Sequence, residues 1–391
     1  MDGNICIMGL GGAGCRILNE FAAMEEAEKF RLLAVDSDLE GLQSSGLPEE
    51  QWVQPGKLLR SGRGCGGDVI YGQQALANER KNLVSVLAGT KVLIIVCGLG
   101  GGLATGGLPV ILGVATKMHI PTAVVATLPF SMEGFSRRQL SDDRLKSDIL
   151  PMADAVIVLP DDLLFTTLPG ETALADAYKV SDAEVSRSLL AVASILGGGN
   201  LFSADFASFT GVLKRRQTLC ALGTARVDND SEDASERAME KMLASPLLGG
   251  PDSLDNADAV LFSVLGGPEL SMATARNALD LCSRMIAPES GKKILLGAST
   301  AAEFTGKLQL TVLTVRYLDR SELAAPEPVR KRAGLRGNAH ESGDDGLQMD
   351  LPNLTVEEKG IMENTVPVTI DGVDYDIPAY KRRGMMIDTG K

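Results

Sequence analysis

The residues best placed to do chemistry in this chain are three glycine clusters, Gly9–Gly14, Gly62–Gly67 and Gly98–Gly107. The third lies in Lys91–Ile111, KVLIIVCGLGGGLATGGLPVI. There a strand-like run, Val92–Cys97, meets a glycine turn carrying Thr105, and Pro109 opens a helix-like run. Glycine lets successive backbone N–H groups turn toward one anion and approach it closely. A following helix adds unpaired N–H groups and the positive end of its dipole. Proline suits a first helical turn, where its missing donor costs nothing. The chemistry is phosphate binding, although the same turn also serves ordinary strand-to-helix connections. No Gly-Lys-Ser/Thr follows, so this is not a Walker A loop.

The first cluster repeats the recipe. A buried strand, Asn4–Met8, runs into Gly9-Leu-Gly-Gly-Ala-Gly14 and then a helix from about Cys15 to Glu28. Gly9, Gly11 and Gly14 have the G-x-G-x-x-G spacing of a dinucleotide site, and Asp36 and Asp38 follow the strand Leu32–Val35 where such a site places its ribose carboxylate. An NAD-dependent oxidoreductase is therefore a competing reading. A dinucleotide enzyme concentrates phosphate binding in one glycine turn. Three turns suit a triphosphate gripped from several sides.

The elements that must position these turns alternate. Helix-like runs at Gln73–Leu87 and Arg137–Ile149 are interleaved with strand-like runs at Thr122–Leu128 and Ala155–Leu159. Alternation of this kind implies a parallel α/β sheet with its ligand at the carboxyl edge of the strands. Ala173–Leu196 is a long helical pattern stopped by Gly197-Gly-Gly199, the expected C-terminal signal. A second, smaller α/β block follows, with helices at Ala234–Leu243 and Leu270–Ile286 and strands at Ala259–Leu265, Lys293–Gly297 and Leu308–Val315. Beyond Tyr317 the apolar residues thin out and Pro, Gly and mixed charge take over. That composition reads as a disordered linker, closed by a compact apolar-plus-basic tail, Val373–Arg383.

Composition excludes several classes. A net charge of −13 and 4% aromatic residues oppose nucleic-acid binding. The six cysteines are scattered without a CxxC, as in a reducing cytoplasm. Two histidines make a histidine-based metal site or triad improbable in composition. No apolar run approaches the ~20 residues of a membrane span, so direct membrane insertion is not expected, and the opening strand leaves no room for a signal peptide.

Taken together, the ordered motifs resemble those of FtsZ, the bacterial branch of the tubulin family, along nearly all of the chain except the linker. Gly9–Gly14 is similar to the family's first phosphate loop, Ala34-Val-Asp-Ser-Asp38 to its second and Gly62–Gly67 to its third. Gly100-Gly-Gly-Leu-Ala-Thr-Gly106 stands at the tubulin signature, GGGTG(T/S)G. Pro129-Phe-Ser-Met-Glu-Gly134 with Arg137 resembles the ribose-side loop, Pro160–Leu164 the entry to the central helix, and Ala244-Ser-Pro-Leu-Leu248 a segment of the second domain.

The resemblance implies a GTP-binding domain over 1–172, a central helix over 173–199 and a C-terminal activation domain over 200–317. A disordered linker over 318–370 and a partner-binding tail over 371–391 follow. It further implies a cytoplasmic GTPase that turns GTP into GDP and phosphate with Mg2+. Subunits join head to tail into filaments at the division site in a mid-cell ring, and each active site is completed by the next subunit. The nucleotide-binding residues so implied are Gly11, Gly12, Gly14, Arg16 and Asp36, then Gly66 and Gly67. Gly100, Gly101, Gly102, Leu103, Ala104, Thr105 and Gly106 form the signature loop. Glu133 and Arg137 hold the sugar side. Tyr178 stacks on guanine, and Asp182 accepts from its N1–H and N2 amino groups. In the tail, Asp376, Ile377, Pro378, Tyr380 and Arg382 would dock membrane-tethering and regulatory division proteins, with Lys381 where an apolar residue is usual.

Several positions depart from the family pattern. Leu103 lacks a hydroxyl that could reach phosphate or metal-bound water. Ala104 adds a Cβ where a positive φ is a possible requirement. Arg16 replaces an asparagine and either adds charge near phosphate or faces solvent, and Asp68 replaces another asparagine. The catalytic loop, N-x-D-x-x-D in the family, is here Ser203-Ala-Asp205-Phe-Ala-Ser208. One carboxylate remains, and Ser208 cannot act as a base unaided, which predicts retained binding and assembly with slow turnover.

Overall fold

A computed structural model of the chain describes residues 5–57, 63–160, 169, 171–196, 218–249, 252–285 and 291–318, with short strands at 355–356, 368–370 and 373–374. Residues 1–329 and 330–391 form two compact units.

The first unit opens with β1 (Ile5–Leu10), α1 (Gly11–Ala22), β2 (Arg31–Val35), α2 (Leu39–Gln43) and β3 (Trp52–Val53). Next come α3 (Val69–Asn78), α4 (Arg80–Val86), β4 (Val92–Gly98), α5 (Gly102–Lys117), β5 (Thr122–Leu128), α6 (Phe135–Arg144) and β6 (Ala155–Pro160). The long α7 (Leu174–Leu196) precedes β7 (Thr218–Asp228), α8 (Ala234–Leu243), β8 (Ala259–Gly266), α9 (Met272–Arg284), β9 (Lys293–Thr300) and β10 (Lys307–Tyr317). The strands form one ten-stranded sheet in the order β3-β2-β1-β4-β5-β6-β7-β10-β8-β9. Pairing is parallel from β3 through β6 to β7 and between β8 and β9, while β10 runs antiparallel to both its neighbours.

Successive residues of the central strands feed opposite layers. Ile5 and Ile7 of β1 and Ile94 and Val96 of β4 pack with Phe21 of α1 and Leu189 of α7. Cys6, Met8, Leu93 and Ile95 pack instead with Leu76 and Leu108 on α3 and α5. With both faces covered, these strands read as continuous apolar runs. A further core gathers Val227, Met242, Phe262 and Leu310 in the second α/β block.

Two helix starts differ from the sequence reading. The α1 helix begins at Gly11, so the first glycine turn is itself the opening helical turn. The α5 helix begins at Gly102 and holds Pro109 in its interior, where the expected start had been Pro109. The reason is packing. A Cβ at Gly106 would lie 1.9 Å from the Val69 carbonyl oxygen, and one at Gly107 would lie 2.1 Å from Leu76 Cδ1. These two glycines let α5 touch α3. The positive φ feared at Ala104 is not needed either. Ala104 lies inside α5, and among the described residues His119 is the one non-glycine with positive φ.

In the second unit, β11 (Thr355–Val356), β12 (Val368–Ile370) and β13 (Val373–Asp374) form a three-stranded antiparallel sheet. Two of these strands fall within the stretch read as linker. The sequence between β12 and β13 is Asp371-Gly372, a favoured two-residue hairpin dipeptide. The tail residues Asp376, Ile377, Pro378, Tyr380 and Arg382 lie outside the described residues, as do Ser203, Asp205 and Ser208.

Candidate functional site

The carboxyl ends of β1, β2, β4 and β5 open into a cleft of about 720 Å³. Two helices start on it, α1 at Gly11 and α5 at Gly102, and neither has a side chain capping its first turn. Their free N–H groups and dipoles converge on the cleft as an anion cradle. The neighbouring helices differ. Asp68 caps α3 by accepting from the Tyr71 N–H at 3.0 Å, and Asp38 caps α2 by accepting from the Glu40 N–H at 3.2 Å. Asp68 thus has a capping role, one that the asparagine it replaces would fill equally well.

Most of the expected binding residues line this cleft: Gly11, Gly12, Gly66, Gly67, Gly101 and Gly102 from the glycine turns, with Leu103 and Ala104 behind them. Arg16, Asp36, Glu133, Arg137, Tyr178 and Asp182 complete the wall. Gly11, Gly66 and Gly67 have φ of 74°, 60° and 83°, a region that side chains disfavour. Four expected residues sit behind the wall. A Cβ on Gly14 would lie 2.5 Å from the Val96 carbonyl oxygen, so this glycine lets α1 cross β4. Gly106 faces α3, as described above. Thr105 is buried and its hydroxyl oxygen accepts from the Gly100 N–H at 2.8 Å, which fastens the turn. Gly100, with φ of 95°, is also braced by Arg137, whose Nε donates to its carbonyl at 3.2 Å.

The sugar-side residues pair with one another. Arg137 Nη1 lies 2.7 Å from Glu133 Oε2, and Glu133 Oε1 accepts from the Phe130 N–H at 3.2 Å. At the other end, Phe130 meets Tyr178 edge-on with ring centroids 5.3 Å apart. Asp182, one turn along α7 from Tyr178, accepts from Arg16 Nε at 3.1 Å. Burial pushes the Asp182 carboxyl above the usual carboxylate range, and the Arg16 charge partly offsets this. Sequence reasoning did not single out Arg63. It lines the cleft and makes no ion pair among the described residues. Its one signal was being the only cation in the second glycine cluster.

Asp36 is 5% exposed. Burial, with a smaller push from Asp38, raises its carboxyl from an ordinary 3.8 to about 6, against hydrogen bonds from Asp38 and Ser37. A folded value above the unfolded one makes this group destabilising once ionised. Below pH 4 both states hold the proton and nothing is lost. Between about pH 4 and 6 the unfolded chain alone releases it, so stability falls, and above 6 the penalty is complete at about 3 kcal/mol. Asp36→Asn is expected to remove that loss. Urea unfolding of the nucleotide-free protein at pH 4.5 and pH 7.5 checks it: the variant gains stability at the higher pH and little at the lower. An equal gain at both would remove Asp36 as the cause.

Comparison with known proteins agrees with this geometry. Residues 4–169 match the tubulin/FtsZ family GTPase domain and residues 218–316 the FtsZ family C-terminal domain. A protein of Pyrococcus abyssi named cell division protein FtsZ 1 is 29% identical over 331 residues, 83% of this chain and 84% of its own length. Cell division protein FtsZ of Haloferax mediterranei is 28% identical over 79% of each chain. Among solved structures, an empty FtsZ dimer of M. jannaschii superposes with a TM-score of 0.70 at 26% identity, covering 87% of this chain and 95% of that one. A GTPγS-bound protofilament of CetZ2 from Haloferax volcanii shares the fold, with a TM-score of 0.64 at 21% identity over 81% of this chain and 94% of that one. The sheet order β3-β2-β1-β4-β5-β6 is also that of dinucleotide-binding folds, so topology alone does not choose between the two readings. The glycine turns on β1 and β4, and the domain matches on either side of α7, do. This chain belongs to the tubulin/FtsZ family, and its first domain is a GTPase domain of that family.

Proposed function

We propose that the protein binds GTP in this cleft and assembles head to tail into filaments, with each subunit closing the cleft of the one before it. The observation that carries the reading is the rim. Leu39, Ile70, Met132 and Phe135 are 45%, 64%, 69% and 80% exposed, and each lies within three residues of the cleft wall. Large apolar side chains gathered beside an open polar site mark a surface that another protein covers. A second subunit laid over the mouth buries them and shuts the phosphates off from water. Action at a division site rests on the names of the Pyrococcus and Haloferax relatives.

Within that assembly the catalytic residues are Asp205 and Ser208, with Ser203, offered to the neighbour's γ-phosphate. Asp205 polarises the attacking water, and Ser208 contributes a hydrogen bond without basicity. The described residues contain no cluster of three or more His, Cys, Asp or Glu side chains able to hold a metal. A Mg2+ would depend on phosphate oxygens with one or two carboxylates nearby, and Asp36 and Asp38 are the candidates in the cleft. Lewis-acid stabilisation of the charge that develops on the phosphate oxygens is the chemistry it would supply there. The tail, Asp376–Arg382, is the proposed docking peptide for membrane tethers and regulators.

Sedimentation with GTP, GDP and a non-hydrolysable analogue, with phosphate followed in parallel, tests the reading. Wild type pellets with GTP and the analogue and releases phosphate slowly. Ser208→Asp is expected to raise release per assembled subunit by about 100-fold or more, within the range of a positioned acid–base group, with pelleting unchanged. A protein that stays in the supernatant with every nucleotide contradicts the assembly reading. A Ser208→Asp variant no faster than wild type contradicts the catalytic one.

A further inference from the structure

The base end of the cleft contains a pairing that the phosphate loops do not explain. Arg16 lies in the second turn of α1, which begins at the phosphate cradle, yet its side chain runs away from the glycine turns to α7. Its Nε donates to Asp182 Oδ2 at 3.1 Å, and its guanidinium carbon stands over the Tyr178 ring, 6.0 Å from the centroid. The Arg16 side chain keeps 46% of its exposure while Asp182 keeps 12%. The contact is therefore a buried carboxylate held by a half-open cation, beside an aromatic ring that Phe130 meets edge-on.

We propose that Arg16 is a base-recognition residue, the second wall of a slot for guanine between its guanidinium and the Tyr178 ring, and not a phosphate ligand. This rests on the GTP reading above and goes beyond it by dividing the work of the site. Two stacked contacts of ~3.5 Å need a gap of ~7 Å, so the present 6.0 Å must open by only about 1 Å. A guanidinium plane stacks well on a purine. Anchoring through Nε holds the guanidinium plane in place as a wall of the slot and leaves recognition of the base edge to Asp182. The same ion pair offsets part of the burial that raises the Asp182 carboxyl, which favours the carboxylate form that accepts from N1–H and the N2 amino group. Adenine presents an acceptor at N1 and no N2 amino group, so it offers Asp182 neither donor.

The consequence is a separation of binding terms. With Arg16→Ala the base slot loses a wall and Asp182 loses its counter-ion, while the helix N-termini and Arg63 remain. The test measures affinity for GTP, ATP and inorganic tripolyphosphate on wild type, Arg16→Ala and Arg16→Lys, with thermal unfolding as a check on the fold. The expected result for Arg16→Ala is at least a 10-fold loss for GTP, a smaller GTP-to-ATP ratio and tripolyphosphate affinity within twofold of wild type. Arg16→Lys restores charge without a stacking plane and is expected to recover only part of the GTP loss. Equal losses for GTP and tripolyphosphate would make Arg16 a phosphate ligand and overturn the proposal, as would GTP affinity unchanged in Arg16→Ala. Wild type that binds tripolyphosphate but shows no preference for GTP over ATP would overturn the parent reading as well.

Discussion

Replacing Gly106 with alanine is expected to cost the protein about 2 kcal/mol of stability or more, although the change is a single methyl group in a helix that alanine otherwise favours. The new Cβ would lie 1.9 Å from the Val69 carbonyl oxygen, 2.8 Å from its carbon and 3.0 Å from the Gln73 nitrogen. All three are backbone atoms of α3 and cannot swing aside as a side-chain tip could. Either α3 and α5 separate, or the α3 backbone moves. Overpacking of this kind typically costs 1–3 kcal/mol and sometimes more, against a helix-propensity gain of about 1 kcal/mol. Because α5 carries one of the two cradle N-termini, a separated α5 also shifts the anion site. Chemical denaturation with the slope held constant measures the loss. A variant as stable as wild type would mean that α3 and α5 do not pack as described.

The second large effect leaves the fold alone. Gly12 lies in the first turn of α1 and on the cleft wall, and a Cβ there would meet nothing nearer than Asp36 Oδ2 at 3.7 Å. The positive end of the helix favours a carboxylate at this point while the neighbouring Asp36 carboxylate repels it, so the two effects oppose and Gly12→Asp is expected to unfold within a few degrees of wild type. It also places a negative charge where the triphosphate belongs and gives the free N–H groups a competing acceptor. Like charges forced together at an interface cost several kcal/mol, and GTP affinity is expected to fall by about 100-fold or more. Titration with a fluorescent GTP analogue, beside a melting curve, reads both halves of the expectation. Retained affinity would place the phosphates elsewhere.

The contrast between Gly106 and Gly12 shows what the sequence could and could not reveal. All the glycines of the first and third clusters look alike in a string of letters. Gly11 and Gly12 open onto the cleft, Gly14 permits a crossing over β4 and Gly106 a helix contact, and only three-dimensional distances separate these uses. The parallel sheet was legible because β1, β4 and β5 are apolar on both faces, and α8 was legible to the residue because its amphipathic run has clear ends. The start of α5 was not, since a glycine-rich first turn carries no helix propensity and Pro109 mimics a start signal. Arg16 and Asp182 were each named as site residues. Their pairing was invisible because it spans two helices 166 positions apart.

The claim on which the rest depends is that a guanine nucleotide occupies the cleft between the two uncapped helices. Calorimetric titration of the purified, nucleotide-stripped protein with GTP and with NAD tests it directly. The account predicts one GTP bound per chain, competed by GDP, with no heat from NAD. Saturable binding of NAD, or no binding of GTP by a folded protein, would contradict it.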